Sequence, residues 1–324
     1  MNPVPVRLRI GTRGSALALW QTERVRSLLA SAGVDAEPVP IKTTGDLTPD
    51  VPLSRIGSRA LFTKQIDDAL LEGRIDLAVH SLKDLPTRLP AGIAIGAVGE
   101  REDARDALIG RGAIGWESLP QAAVVGTSSL RRRAQLLYHR PDLVVVDLRG
   151  NVDTRLAKLD ANPKWFAIVL ATAGLVRLGL DGRIGERLAP DLLVPAPGQG
   201  ALAITVREGD REVLMAVRNA LHHPETAVLI AAERGFLARL EGGCQVPIAA
   251  YARLLQGGPS RVHLHGRVVS LDGRTLVEAQ QAAPAKNEEH AASLGASLAE
   301  ELLTQGAREI LSDSRDTVPA ITEP

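Results

Sequence analysis

A single cysteine, Cys244, stands in 324 residues, so the chain can form no intramolecular disulfide and suits a reducing compartment. The same scarcity argues against structural zinc, which needs paired thiolates. Only eight residues are aromatic, so leucine, isoleucine, valine and alanine must pack the cores. No apolar run approaches the roughly 20 residues of a membrane-spanning helix. The opening Met1-Asn2-Pro3-Val4-Pro5-Val6-Arg7 has no apolar signal core. Excess charge is missing as well: 38 basic and 38 acidic residues cancel, so no global field favours nucleic acid or membrane. There is no HExxH, Walker loop or GxGxxG. His263 and His265 share a strand face, but two histidines read as a polar face rather than a metal site. The expectation is a cytoplasmic, metal-free α/β protein.

What is present is more telling. The length suits two or three domains with ample apolar content. The basic set comprises 32 arginines against six lysines. A GC-rich genome produces that skew, but arginine's planar fork also suits bidentate binding of carboxylate or phosphate. Position separates the two.

Residues 8–12 read as a strand, and Gly14-Ser15 offers an N-cap for a helix to about residue 32. Arg13 precedes that helix N-terminus, where free N–H groups favour an anion. A second strand spans 36–42. A polar stretch from Thr43 through Ser58 lacks periodicity and reads as a mobile surface loop. Thr63 caps a helix ending near Gly73. The apolar strand 75–80 then delivers Ser81, Leu82, Lys83 and Asp84 to the edge where open α/β sheets bind ligands. By themselves, Lys83 and Asp84 read as a surface ion pair.

A strand at 93–98 and a charged run at 101–106, read as a solvated crossover, precede a restart. Strand 123–126 leads into Thr127-Ser128-Ser129, capping a helix over 130–139 that Pro141 ends. Arg131, Arg132 and Arg133 fan over about 200° in its first turn, at 100° per residue. They cannot all face one ligand, and Arg133 is expected to point outward. Cations at a positive helix end ask for an anion. Strand 143–148 delivers Arg149 and Gly150. Asn151 or Asp153 caps a helix carrying Arg155, and strand 166–171 precedes one carrying Arg177. Arginine recurs after strand ends and at helix starts, which a GC-rich genome does not explain.

Residues 194–200, Val-Pro-Ala-Pro-Gly-Gln-Gly, read as a hinge, after which strand 201–206 is expected to rejoin the first sheet. A third unit begins near 223. It comprises a helix over about 225–240, strands near 246–254, 261–270 and 274–282, and a helix over about 288–305. Residues 313–324 are expected to be disordered. Gly242 and Gly243 are suited to end the first of those helices, placing Cys244 on a tight loop. Alone, a free cysteine reads as a small buried hydrophobe.

Together the motifs resemble the porphobilinogen deaminase family. The matching stretches are Gly11-Thr12-Arg13-Gly14-Ser15, Thr44-Gly45-Asp46, Ala78-Val79-His80-Ser81-Leu82-Lys83-Asp84-Leu85-Pro86 and Gly126-Thr127-Ser128-Ser129-Leu130-Arg131-Arg132. They continue in Leu148-Arg149-Gly150-Asn151-Val152, Pro197-Gly198-Gln199-Gly200 and Leu240-Glu241-Gly242-Gly243-Cys244-Gln245-Val246-Pro247. They run in the family's order along nearly the whole chain. The resemblance implies two doubly wound α/β domains like the halves of a periplasmic binding protein (1–100 plus 200–220, and 105–195), joined by a hinge. A small α+β domain (224–312) with an antiparallel three-stranded sheet carries the cysteine.

The resemblance also implies a monomeric enzyme that condenses four porphobilinogens head to tail into a linear tetrapyrrole, releasing ammonia. It uses a dipyrromethane cofactor on a Cys244 thioether, with Asp84 as the catalytic carboxylate. Cofactor contacts fall to Lys83, Ser81, Thr127, Ser129, Arg131, Arg132, Arg149 and Gly150. Substrate contacts fall to Arg13, Ser15, Gln21, Arg149, Arg155, Arg177 and Gln199. One departure is Gly57-Ser58-Arg59-Ala60, where more glycine and a lysine are expected in a lid over the cleft. Of the rivals, a solute receptor for carboxylates or phosphate leaves the third domain and Cys244 without a role, and a ligand-sensing regulatory domain would need an attached DNA-binding unit that the sequence does not show.

Overall fold

The computed structural model describes residues 7–43, 63–112, 114–240, 246–255 and 261–316. Cys244 and the segment 44–62, including the proposed lid, lie outside them. In chain order the strands are β1 (Leu8–Thr12), β2 (Ala36–Pro40), β3 (Leu77–Ser81), β4 (Ile93–Val98), β5 (Asp106–Gly110), β6 (Val124–Gly126) and β7 (Val144–Val146). They continue as β8 (Ala167–Ala171), β9 (Glu186–Arg187), β10 (Leu202–Arg207), β11 (Ile248–Leu255), β12 (Arg261–Val269) and β13 (Leu276–Pro284).

Two sheets follow one plan. The first has the order β2-β1-β3-β10-β4, with β1 parallel to β2 and β3, and β10 antiparallel to both neighbours. The second has the order β7-β6-β8-β5-β9, with β6 parallel to β7 and β8, and β5 antiparallel to both neighbours. In each, the antiparallel strand is the one the chain supplies on crossing from the other sheet: β5 follows β4, and β10 follows β9. The return of residues 201–206 to the first sheet is as expected. The reading of 101–106 as solvated is corrected at its end, because Asp106 opens β5 and is fully buried.

Both sheets are covered on both faces, as their apolar strands require. In β8, Ala167 and Val169 enter one core while Ile168 and Leu170 enter another, the period-two alternation of a pleated strand. On the first sheet, Ile10, Val25, Leu29 and Leu77 pack one face, and Ile66, Leu70 and Ala78 the other.

Side-chain caps start the helices that open the two sheets. Ser15 Oγ accepts from Ala18 N at 3.4 Å for the Ala16–Ser31 helix, and Ser129 Oγ from Arg132 N at 3.4 Å for Leu130–His139. Thr63 and Asn151 occupy N-cap positions without a side-chain bond to the helix.

The first compact unit comprises residues 1–102 and 201–227. The second comprises 103–200 and 228–324, so the third sheet belongs to the same unit as the second. That sheet is antiparallel in the order β11-β12-β13. Its core joins Phe236, Val262, Leu264, Leu298 and Leu302 from the sheet and from the helices Pro224–Arg239 and Glu288–Leu302. These helices touch through glycine: a Cβ on Gly295 would lie 2.0 Å from the Ala232 carbonyl oxygen, and one on Gly235 2.3 Å from that of Ala292. Disorder expected from residue 313 gives way to a helix, Arg308–Asp316. Buried Ile310, Leu311 and Ser314 hold it to the core, and Ser314 Oγ donates to Ile310 O at 2.7 Å. Residues 317–324 lie outside the described set.

Candidate active site

In the first unit the chemistry gathers where β1 and β3 end. After β3, Leu82–Asp84 forms one 3₁₀ turn. Buried Leu82 and Leu85 clamp it, and Leu82 N donates to Ala201 O at 3.0 Å. The clamp leaves Lys83 half-buried and Asp84 exposed, so a carboxylate stands at the carboxyl edge of the sheet on a rigid turn. His80, beneath it, is buried with Nε2 3.0 Å from Thr205 Oγ1. Burial pushes its pKa down to about 4, so it is neutral near pH 7. Arg13 and Ser15 follow β1, both half-buried. Gln21, expected to meet substrate, is 4% exposed and donates to Ser81 Oγ at 2.9 Å. It ties the first helix to the end of β3.

In the second unit β6 ends in Thr127-Ser128-Ser129. Thr127 is buried, and its Oγ1 accepts from Ser129 N at 3.3 Å. Ser128 Oγ donates to Leu148 O and accepts from Leu148 N at 3.1 Å, fixing the chain just before Arg149. Gly150 has φ +113°, and a Cβ there would meet the Thr154 side chain at 2.8 Å, so the turn demands glycine. Its carbonyl accepts from Arg155 Nε at 2.8 Å. Arg149 is half-buried, and its buried Nη1 finds no hydrogen-bond partner among the described residues.

Arg131 and Arg132 both face Asp106. Arg131 Nη1 donates to Asp106 Oδ2 at 2.7 Å, and Arg132 Nε and Nη2 to Oδ1 at 3.0 and 2.8 Å. Arg132 Nη1 also donates to Val169 O at 3.0 Å. Burial alone would raise the Asp106 carboxyl, but the two guanidiniums overcome it and hold its pKa well below the ordinary range. Two cations against one carboxylate leave one surplus positive charge. Arg131 Nε is also buried without a hydrogen-bond partner. The carboxylate these arginines meet among the described residues is that of Asp106.

Three further side chains make contacts within the chain. Gln199, expected to assist substrate binding, is fully buried and donates to Ala104 O at 2.7 Å and Asp106 Oδ1 at 2.9 Å. Arg177 is buried, with Nη2 donating to Gly200 O at 2.5 Å. Arg133, expected outward, turns back to donate to Val145 O at 2.9 Å, because the carbonyl of a neighbouring strand lies within its reach. Sequence reasoning missed Asp106 altogether. Its one local signal is the strand-like Ala107-Leu108-Ile109-Gly110 that follows it.

In each unit an arginine follows a strand end, and in the first a clamped turn presents the exposed Asp84 carboxylate, features suited to an enzyme that handles an anionic substrate. Residues 8–215 match the family model for "porphobilinogen deaminase, dipyromethane cofactor binding domain", and residues 227–304 that for "porphobilinogen deaminase, C-terminal domain". The chain is 48% identical over 308 residues to a porphobilinogen deaminase of Geotalea uraniireducens, covering 94% of each. It is 49% identical over 307 residues to one of Syntrophotalea carbinolica, covering 94% of this chain and 95% of that one. The chain belongs to the porphobilinogen deaminase family. It is therefore an enzyme of tetrapyrrole formation that polymerises porphobilinogen, and it contains the family's dipyrromethane-binding domain.

Among solved structures it is similar to the methionine binding protein MetQ, with TM-score 0.43 and 14% identity over 67% of this chain and 90% of that one. A periplasmic substrate-binding protein of a Coxiella burnetii ABC transporter gives TM-score 0.43 and 16% identity over 67% and 92%. At those scores the likeness carries no argument, and the fold class rests on the three sheets themselves. Among the described residues no helix is long and apolar enough to cross a membrane.

Proposed function

We propose that this chain condenses four porphobilinogens, one at a time, with Asp84 as the catalytic carboxylate and a dipyrromethane held on Cys244 by a thioether. The single observation that carries the reading is the match of residues 8–215 to the cofactor-binding domain. The donor set fits such a group: Arg149 keeps a buried Nη1 without a partner among the described residues, and the Arg131–Asp106–Arg132 cluster has positive charge to spare. When bound, the dipyrromethane supplies the free pyrrole carbon from which the chain grows. Lys83, Ser81, Thr127, Ser129, Arg131, Arg132, Arg149 and the Gly150 backbone would hold it.

Porphobilinogen carries an aminomethyl arm and two carboxylates. Losing ammonia leaves an electron-poor methylene-pyrrole cation. Asp84 accepts hydrogen bonds from pyrrole N–H groups and offsets that developing charge. A fixed carboxylate lowers the barrier by several kcal/mol, by analogy with about 3 to 4 kcal/mol for a well-placed oxyanion donor. Arg13, Ser15, Arg155 and Arg177 bind the side-chain carboxylates of incoming units. A finished chain with its primer carries about twelve carboxylates, whose mutual repulsion in a low-dielectric site demands this density of cations. Gln21 and Gln199 orient Ser81 and Asp106. The enzyme works as a cytoplasmic monomer, in keeping with the lone cysteine.

Intact-protein mass spectrometry tests the reading. The active chain should exceed its sequence mass by two pyrrole units, and Cys244→Ser should lose both that mass and turnover. An active chain at its bare sequence mass would overturn it.

A further inference from the structure

The cysteine-bearing sheet and the Arg131 cluster are joined by buried polar contacts that the reaction does not account for. Arg267, on β12, is 4% exposed and commits every guanidinium nitrogen. Nε donates to Glu278 Oε2 at 2.7 Å and Nη2 to Asp191 O at 2.9 Å. Nη1 donates to Leu192 O at 3.2 Å and to Gln135 Oε1 at 3.1 Å. Gln135, 1% exposed, lies one helical turn beyond Arg131. Its Oε1 also accepts from Val194 N at 2.9 Å, while Nε2 donates to Arg131 O at 3.3 Å and Val194 O at 3.2 Å. The amide therefore has one allowed orientation, since a flip would set its two donors against the Val194 and Arg267 donors. Val194 O also accepts from Arg131 Nη1 at 2.7 Å, the same nitrogen that reaches Asp106.

We propose that Arg267 and Gln135 are positioning residues that set the Arg131 guanidinium, so that the third sheet fixes the geometry of a carboxylate-binding arginine in the second. The proposal rests on the reading of Arg131 as a ligand of cofactor carboxylates. A plain cross-link would need only the carbonyls of Asp191 and Leu192, since Glu278 stands on the neighbouring strand of the same sheet. The additional path through Gln135 ends on the carbonyl that Arg131 itself uses, which holds Arg131 from a second side. By sequence, Cys244 lies four residues before β11, and β11 pairs with β12 so that Ala249 faces Arg267. Small displacements of a binding guanidinium cost heavily, because binding geometry must be held within a fraction of an ångström.

The test uses the full-length holoenzyme and Gln135→Met, Arg267→Met and Arg131→Lys, singly and with each of the first two combined with the third. Three quantities are read: covalent cofactor occupancy by intact mass, KM and kcat for porphobilinogen, and Tm. Gln135→Met, neutral and of similar volume, guards against misfolding of the Arg267 variant. Each positioning variant should lower kcat/KM or cofactor occupancy by about ten- to a hundredfold. Neither should add to the defect already present in Arg131→Lys, as expected for residues acting through one group. Defects that multiply with that of Arg131→Lys, or a lower Tm with unchanged occupancy and KM, overturn the proposal. If Arg131→Lys alone leaves occupancy and KM unchanged, the carboxylate reading of Arg131 fails and takes this proposal with it.

Discussion

The Gln199 side-chain amide donates to Asp106 at 2.9 Å, with neither residue exposed to solvent. Asp106 thus accepts from Gln199 and from two arginines. A carboxylate so supplied is a structural anion, and the arginines depend on it as much as it depends on them.

Asp106→Asn should therefore be severely destabilising. It leaves two buried guanidiniums facing a neutral amide, and breaking a buried ion pair from one side costs about 3 to 5 kcal/mol. The folded carboxyl titrates below its unfolded value of about 3.9. Its stabilisation is consequently complete above that pH and is lost as pH falls through the folded pKa. Urea unfolding at pH 7 checks the first point. A variant within about 1 kcal/mol of wild type would show that the cluster tolerates its own charge.

His80 predicts a second pH dependence of opposite origin. Its pKa falls from 6.5 to about 4 through burial, so between those values the unfolded chain binds a proton that the folded chain refuses. Stability should rise with pH across that window, by up to about 3 kcal/mol. In His80→Gln, which keeps a polar group toward Thr205, the slope should be shallower over the same range. Equal slopes for the two proteins in parallel denaturation series would mean His80 accepts its proton in the folded state.

How much of this was legible beforehand depends on the range of the interaction. The strands at 8–12 and 93–98 announce themselves through apolar residues, and the helices at 16–31 and 130–139 through the caps Ser15 and Ser129 and helical apolar spacing. The arginines were legible because each follows a strand end. Their partners were not. Arg131 finds Asp106 across 25 positions, Gln199 finds it across 93, and Arg267 finds Gln135 across 132. No local pattern encodes such pairings, so an arginine aimed at an internal carboxylate looks the same in sequence as one aimed at a ligand. Gln21 and Gln199 show the same limit: the sequence sets each near a motif but does not give its partner, Ser81 or Asp106.

The contact between the helices Pro224–Arg239 and Glu288–Leu302 separates two opposing effects of one methyl group. Gly295→Ala should gain about 1 kcal/mol in helix propensity. It would also place a Cβ 2.0 Å from the Ala232 carbonyl oxygen, a backbone atom that cannot swing aside. Overpacking of this kind costs typically about 1 to 3 kcal/mol, and more where backbone must move. The loss should win, and Tm should fall. A variant more stable than wild type would mean the two helices separate freely.

Asp84 offers the sharpest functional test, because its surroundings make a structural role improbable on physical grounds. It is exposed, and Leu82 and Leu85, rather than its own carboxylate, anchor the turn that bears it. Asp84→Asn keeps the size and the ability to accept a hydrogen bond but removes the charge that would offset a methylene-pyrrole cation. Folding stability should therefore stay within about 0.5 kcal/mol of wild type, as for a surface change. The kcat should fall by at least about 10²-fold, the scale of losing one preorganised electrostatic contact. KM should move little, since the charge develops only after ammonia begins to leave. Steady-state kinetics beside a thermal melt would separate these quantities. If the Asn variant raised KM at constant kcat, Asp84 would be a binding group and the carboxylate that meets the cation would have to be sought elsewhere.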